Sequence, residues 1–277
     1  MKVIITGGTG QLGTYLTQLL KKDYDVYTYS KQELDITDPT HLEEKMTSIQ
    51  PDVVYHCAAF TNVDQCEEEA ERAFMINSFG ARSVAAACQS VGAKMVYVST
   101  DYIFDGEKPC PYLETDKPNP LNIYGKSKWL GERLVQLENP NSYIIRTSWL
   151  YGKNKNGFVD TMLECARMNK EVEVVHDRTG SPTYTKDLAL LLRDIIELNP
   201  GVYHVSNTGA CSWYEFAQEI FERIGQKRNY VRPITSKDYR VKALRPVNSA
   251  LQTHYDLPLR HWKDALDAYM SEELFCD

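Results

Sequence analysis

Two residues four apart in the chain set the chemical question. Tyr124 and Lys128, in the run Tyr124-Gly125-Lys126-Ser127-Lys128, fall on one face of any helix that passes through them. An ammonium beside a phenol stabilises the phenolate and draws the phenol below its ordinary pKa of about 10, so the pair reads as a general acid. Thr100 ends the β-branched run Val98-Ser99-Thr100-Asp101-Tyr102, where a hydroxyl at the carboxyl end of a strand can hold a substrate oxygen. Lys128 can in addition grip the ribose of a cofactor. A Tyr-x-x-x-Lys pair alone recurs by chance on helix surfaces; here it is joined by a second motif at the start of the chain.

That motif is Thr6-Gly7-Gly8-Thr9-Gly10-Gln11-Leu12-Gly13, which directly follows an apolar strand and opens a helix. Glycines at 7, 10 and 13 give a Gly-x-x-Gly-x-x-Gly variant of the dinucleotide fingerprint. The turn needs backbone freedom, the pyrophosphate needs a missing side chain, and the helix start supplies amide donors. An acidic residue after the second strand would favour NAD by accepting from the ribose 2′-hydroxyl. This chain has Tyr29-Ser30-Lys31 instead. A hydroxyl followed by an ammonium suits a 2′-phosphate, so NADPH is expected ahead of NADH. Asp35 and Ile36 fall near the expected adenine pocket, although Asp35 is also placed to cap the helix region that begins at Pro39.

The elements that must position these groups follow an alternation of short β-branched runs and helical patterns, which signals a parallel sheet flanked by helices. Strands are expected at 3–6, 25–29, 53–56, 95–100 and 143–146, with helices at 11–21, 39–49, 67–91 and 121–137. Past residue 151 the alternation loosens into helices near 158–168, 186–198, 213–224 and 262–273, with strands near 173–176 and 202–206. The fold class is therefore α/β, a Rossmann-like doubly wound parallel sheet with a smaller, mostly C-terminal substrate-binding lobe. Residues 1–150 with about 177–206 would form the dinucleotide domain, and about 151–176 with 207–277 the second lobe. A cleft over the carboxyl ends of the strands is where such folds bind ligands.

Composition bounds the rest. The 277 residues are 43% hydrophobic and 25% charged, with a net charge of −7, which excludes a disordered chain and a basic nucleic-acid binder. Apolar runs fall short of the ~18–20 residues of a membrane span, and the N-terminal apolar stretch meets glycines too early for a signal peptide. Seven cysteines (57, 66, 88, 110, 165, 211 and 276) are scattered without a Cys-x-x-Cys pair. That spacing fits a reduced, cytoplasmic protein without disulfides or a metal centre.

Taken together, the motifs resemble those of the extended short-chain dehydrogenase/reductase superfamily and, within it, the dTDP-4-dehydrorhamnose reductase family. The resemblance runs nearly end to end. Besides the glycine turn and the Tyr/Lys pair it rests on Leu34-Asp35-Ile36-Thr37, Ala58-Ala59-Phe60-Thr61-Asn62-Val63-Asp64, Ser99-Thr100-Asp101-Tyr102-Ile103-Phe104-Asp105-Gly106, Arg146-Thr147-Ser148-Trp149-Leu150-Tyr151-Gly152, Gly180-Ser181-Pro182-Thr183 and Arg245-Pro246-Val247-Asn248-Ser249. It implies a hydride delivered from NAD(P)H to C4 of a 6-deoxy-4-keto sugar nucleotide, in polysaccharide precursor synthesis. Tyr124 would protonate the developing alkoxide, tuned by Lys128. Thr100 and Asp101 would bind the sugar carbonyl and hydroxyls, and Trp149 would pack on the sugar or its nucleotide. Ala58, Ala59 and Phe60 would line the cofactor with Gly7, Gly10, Gln11, Leu12 and Gly13. For Trp149 an interlobe core position competes, and for Asn77 a structural amide competes with a role bridging backbone groups behind the tyrosine. Arg245 reads equally as a grip on the substrate diphosphate or as a salt-bridge anchor of the C-terminal lobe.

Three positions depart from the family pattern. Tyr15 stands where some relatives carry a glutamate that helps bind Mg²⁺ at a dimer contact, which leaves metal and that dimer in doubt; monomer and homodimer both stay open. Arg178 stands where glutamine is frequent, and Phe60 where Tyr or His is common. A nucleotide-sugar dehydratase or epimerase is the nearest alternative, but Thr100-Asp101 is followed by Tyr102 rather than by the glutamate that elimination would use. A non-catalytic NADP-binding subunit resembling the β subunit of methionine adenosyltransferase is the alternative outside enzymes, since a fold does not fix a reaction.

Overall fold

A computed structural model describes residues 1–153, 157–257 and 259–274, so Cys276 lies outside the described residues. The alternating first half folds as β1 (Lys2–Thr6), α1 (Gln11–Leu20), β2 (Asp25–Tyr29), α2 (Pro39–Ile49) and β3 (Val53–His56). Then come α3 (Val63–Glu68), α4 (Ala70–Phe74), α5 (Ala81–Val91), β4 (Lys94–Thr100), α6 (Ile123–Glu138) and β5 (Ser142–Thr147). Beyond them lie β6 (Leu150–Tyr151), α7 (Phe158–Arg167), β7 (Val172–Val175), β8 (Thr179–Gly180), β9 (Thr183–Tyr184), α8 (Thr185–Ile195) and β10 (Gly201–His204). The last described elements are β11 (Cys211–Ser212), α9 (Trp213–Arg223), β12 (Val231–Ile234) and α10 (Trp262–Tyr269).

Six strands form one parallel sheet in the order β10-β5-β4-β3-β1-β2. Its inner strands are buried on both faces: every residue of β3 and β5 is buried, as a sheet covered by helices on both sides requires. One face packs under α1 and α8 through Leu12, Leu16, Leu188 and Leu192. The other packs under α2 and α5 through Leu42, Met46, Val84 and Cys88. The strand order reverses between β1 and β3, so a crevice opens at their carboxyl ends. A separate apolar cluster joins α7, α9, α10 and β9 through Leu163, Phe216, Ile220, Leu266 and Tyr184.

Local chemistry sets the element boundaries. Asp38, not Asp35, caps α2, accepting from Thr40 N and His41 N at 3.1 Å with Pro39 in the first turn. Asp35 instead accepts from Thr37 N and Thr37 Oγ1 at 2.9 and 2.7 Å. The single helix expected over 67–91 is broken. Glu69 leaves helical geometry, and residues Met75–Gly80 form a π turn between α4 and α5. The widened turn directs Ser78 Oγ to Ser127 O at 2.7 Å and Asn77 Nδ2 to Ser127 Oγ at 3.0 Å, locking this segment onto α6. A period of 3.6 in the sequence cannot reveal such a widening.

α6 is fixed to the sheet by a buried ion pair. Arg146 of β5 places Nη2 2.8 Å from Glu132 Oε2 and Nε 3.1 Å from Oε1, with the two residues 5% and 2% exposed. Ser99 Oγ of β4 donates to Glu132 Oε1 at 2.5 Å. Removing one partner of a buried pair strands the other charge, which costs about 3–5 kcal/mol. Arg146→Met alone should therefore lower the unfolding free energy by about 3 kcal/mol or more in urea melts, while the double variant Glu132→Leu/Arg146→Met should recover part of that loss. A double variant less stable than the sum of its singles would contradict this reading of the pair.

Candidate active site

The turn after β1 is shaped by contact with the end of β3. Gly7 has φ +68°, and a Cβ there would stand 2.6 Å from Ala58 N, so neither the conformation nor the space admits a side chain. Gly10 N donates back to Gly7 O at 2.9 Å. Gly10 also precedes the first turn of α1, which has neither a side-chain cap nor an acidic residue. Its amides and the positive end of the helix dipole are left for an anion. From this turn a cavity of about 690 Å³ runs across the carboxyl ends of β1, β3, β4 and β5. It brings together Gly7, Gly10, Gln11, Leu12, Gly13, Lys31, Asp35, Ile36, Ala58, Ala59, Phe60, Thr100, Asp101, Tyr124, Lys128 and Trp149.

At the chemical end, Asn122 caps α6 by accepting from Gly125 N at 2.7 Å. The cap starts the helix at Ile123, placing Tyr124 in its first turn and Lys128 one turn on. Lys128 is 2% exposed. Its Nζ donates to Val98 O at 2.7 Å and lies 4.1 Å from the centroid of the Tyr97 ring. Burial pushes the Lys128 ammonium down to about 7, with Glu132 opposing that shift. The effect on Tyr124 differs from the sequence expectation. Burial raises its phenol above the ordinary value, and the counterweight is a hydrogen bond from Thr100 rather than the charge of Lys128. The Lys128 ammonium is engaged instead by Val98 O and the face of the Tyr97 ring.

Asp101 is the other displaced acid. It is 3% exposed; its Oδ1 accepts from Thr100 Oγ1 at 3.2 Å, while Oδ2 is buried without a hydrogen-bond partner. Burial lifts its carboxyl to about 7 against the hydroxyls of Ser249 and Thr100. Thr147 Oγ1 is likewise buried and unpartnered, and Thr147 lies opposite Thr100 in the β4–β5 register. It lines the same cavity. Sequence reasoning did not single it out, though it sits inside the Arg146-Thr147-Ser148-Trp149 run and strand pairing would have placed it there.

Around this centre the expectations divide. Asn77 does bridge backbone: its Oδ1 accepts from Phe60 N at 2.8 Å, and its Nδ2 donates to Phe60 O at 3.0 Å. Arg72, which sequence reasoning did not single out, lies 4.6 Å over the Phe60 ring and lines the cavity with Lys31. Ser30 does not reach the cavity lining; its N–H donates to Glu33 Oε2 at 2.8 Å. Arg245 sits outside that lining too. Its Nη2 and Nη1 lie 2.8 and 3.1 Å from the two Asp64 carboxylate oxygens, the anchoring arrangement. Trp149 packs against the C-terminal cluster, as the interlobe core reading expects, and also lines the cavity. Tyr15 donates its hydroxyl to Glu273 Oε1 at 3.0 Å, tying α1 to the turn after α10. Among the described residues no group of three or more His, Cys, Asp or Glu is placed to hold a metal. No helix among them is long and apolar enough to cross a membrane.

Comparison with known proteins places the chain in a family. Residues 1–275 match the family model described as the RmlD substrate binding domain. The chain is 44% identical to the spore coat polysaccharide biosynthesis protein SpsK of Bacillus subtilis (strain 168), over 98% of this chain and 97% of that protein. It is 40% identical to the dTDP-4-dehydrorhamnose reductase of Aggregatibacter actinomycetemcomitans, over 96% and 97% of the two chains. The crystal structure of dTDP-4-dehydrorhamnose reductase from Bacillus anthracis str. Ames in complex with NADP superposes with a TM-score of 0.95 at 44% identity, over 98% of this chain and 99% of that one. With the glycine turn, the Tyr124/Lys128 pair and the strand-end Thr100 in one cavity, the chain belongs to the dTDP-4-dehydrorhamnose reductase family.

Proposed function

We propose that this protein reduces dTDP-4-dehydro-β-L-rhamnose to dTDP-β-L-rhamnose at the expense of NADPH. The observation that carries the reading is the convergence of Tyr124, Thr100 and Asp101 at the end of a cavity that begins on the Gly7 turn. The cradle fits a dinucleotide: a Cβ at Gly7 would close it against Ala58 N, and the uncapped start of α1 faces it. The turn and first helical residues would hold the pyrophosphate, Asp35 and Ile36 the adenosine, and Lys31 with Arg72 the 2′-phosphate. Bound there, NADPH supplies the hydride for the C4 carbonyl.

The chain's own residues manage the proton and the oxygen. Because burial raises its phenol, Tyr124 holds its proton at working pH and releases it only to a stronger base, which is what a developing alkoxide is. Thr100 steadies that oxygen and the phenolate left behind. Lys128, held by Val98 O, sets the polarity beneath Tyr124 and is placed to hold the ribose. Asp101, whose carboxyl burial lifts to about 7, lines the same end of the cavity and would meet the sugar hydroxyls. Elimination chemistry has no support here, since Tyr102 follows Asp101 and meets Tyr124 edge-on at 6.0 Å between centroids.

The direct test follows absorbance at 340 nm with dTDP-4-dehydro-rhamnose and NADPH. Cofactor oxidation is expected, and none with any deoxyketo sugar nucleotide would favour the non-catalytic subunit reading. Tyr124→Phe should lower kcat by at least about 100-fold with little change in cofactor affinity; normal turnover would remove Tyr124 as the acid. Lys31→Ala should raise the KM for NADPH about tenfold and leave NADH nearly unchanged, a difference near 1.4 kcal/mol. Equal losses would contradict a 2′-phosphate contact.

Asp101 links the site to stability. Its folded pKa, near 7, lies above the unfolded value of about 3.9. The folded state therefore holds more protons between these values, and stability is lost as pH rises through 7. Asp101→Asn should thus be more stable than the parent above pH 7, on the order of 1–3 kcal/mol, with the gap closing toward pH 4. Thermal melts across that range check this, and a gap that does not change with pH would refute it.

A further inference from the structure

Trp149 carries a backbone conformation that needs an explanation, since it lies at φ +45°, a region a bulky side chain rarely enters. The surroundings hold it there from two sides. A Cβ at Gly180 would run into the Trp149 indole, so the absence of a side chain on β8 leaves the space that the ring fills. Against the ring's face lies Trp213, stacked with 3.5 Å between centroids and an interplanar angle of 11°. One backbone ladder sets both supports, because β8 pairs with β11 through Gly180 and Cys211, and Trp213 follows β11 as the first residue of α9. A capping box fixes that helix start: Glu215 N donates to Ser212 Oγ at 3.1 Å, and Ser212 N donates to Glu215 Oε2 at 2.7 Å. Phe158 of α7 backs Trp213 at 4.6 Å between centroids.

We infer that Trp213 is a positioning residue for the sugar-nucleotide part of the cavity: it holds the Trp149 indole in its left-handed conformation as a rigid wall of the cavity that Thr100 and Asp101 also line. Trp213 packs against the apolar cluster of α7, α9 and α10, whereas the glycine turn packs over the sheet through Leu12 and Leu16. The effect of removing Trp213 is therefore read first on the sugar side, with the dinucleotide cradle, which meets the same cluster through Tyr15 of α1, as the comparison. This rests on the reading that the cavity binds a nucleotide sugar against Trp149.

The test compares Trp213→Leu, Trp213→Phe and Trp149→Phe. Of the four tryptophans, Trp149 and Trp213 stack on each other, so the parent should show an exciton couplet in circular dichroism that all three variants lose. Trp213→Leu should raise the KM for dTDP-4-dehydro-rhamnose about tenfold while the KM for NADPH stays within about twofold. Trp213→Phe keeps an aromatic face and should show a smaller rise, about threefold, which keeps the test decisive if the leucine variant does not fold. A sugar KM raised by Trp149→Phe but unmoved by either Trp213 variant would overturn the positioning role while leaving the Trp149 reading intact. No change in any variant would overturn both, and a parallel rise in the NADPH KM would reduce Trp213 to a general packing residue.

Discussion

The Glu132–Arg146 pair is the contact on which the site depends. Glu132 stands one turn beyond Lys128 and two beyond Tyr124 on α6, and its carboxylate is held by Arg146 of β5 and Ser99 of β4. Any slide or rotation of α6 would break these bonds in a place with no water to replace them. The same guanidinium reaches Glu114 O and His204 Nε2 at 3.4 Å. Burial and Arg146 push His204 down to about 4, so its ring is neutral and Nε2 is the acceptor. Nδ1 is then the donor, facing Tyr112 O and Gln252 O at 3.0 Å. One ion pair thus aligns the tyrosine helix, two strand ends and the loop that leads to the C-terminal segment.

Burial also sets the chemistry. The dryness that raises Tyr124 and Asp101 lowers Lys128, and it lowers His56 to about 3 behind them. None of these shifts favours folding near neutral pH for the groups whose charged form is suppressed: ordinary lysine and aspartate would both prefer water. The fold tolerates them because the surrounding sheet is apolar and fully packed, and the gain is a set of groups that change protonation state at small cost. A phenol that keeps its proton, a carboxyl near its midpoint and an ammonium near its midpoint are the materials of proton transfer at neutral pH.

Legibility in the sequence followed the physics of each element. β2, α2 and β3 match the boundaries expected from alternation and capping, because Asp38, Pro39 and the β-branched runs act locally. The helix expected over 67–91 did not survive, since its π turn answers to Ser127 on a helix 50 residues away. The glycine turn and the Tyr124/Lys128 pair were legible as motifs, but the direction of the Tyr124 shift was not. Spacing places a lysine on the right face without saying that Val98 O and Tyr97 will take up its charge. Thr147 and Arg72 went unread for the same reason, as their roles come from strand register and from Phe60. Trp149 was read as a substrate contact or an interlobe core aromatic, and the packing between Gly180 and Trp213 belongs to the second of these.

The C-terminal half holds to the dinucleotide fold by two kinds of attachment with different physical character. At one edge Asp64 accepts from Lys242 N and Ala243 N at 2.9 Å and from both terminal nitrogens of Arg245. That bonding drives its carboxyl down to about 2. The Arg245 and Asp64 side chains are still 27% and 35% exposed, so water and salt screen much of the attraction. At the other edge the Trp149–Trp213 stack and the rings of Tyr151, Tyr184 and Tyr269 pack on one another, and salt screening does not weaken ring packing. Salt therefore weakens the first attachment and leaves the second in place.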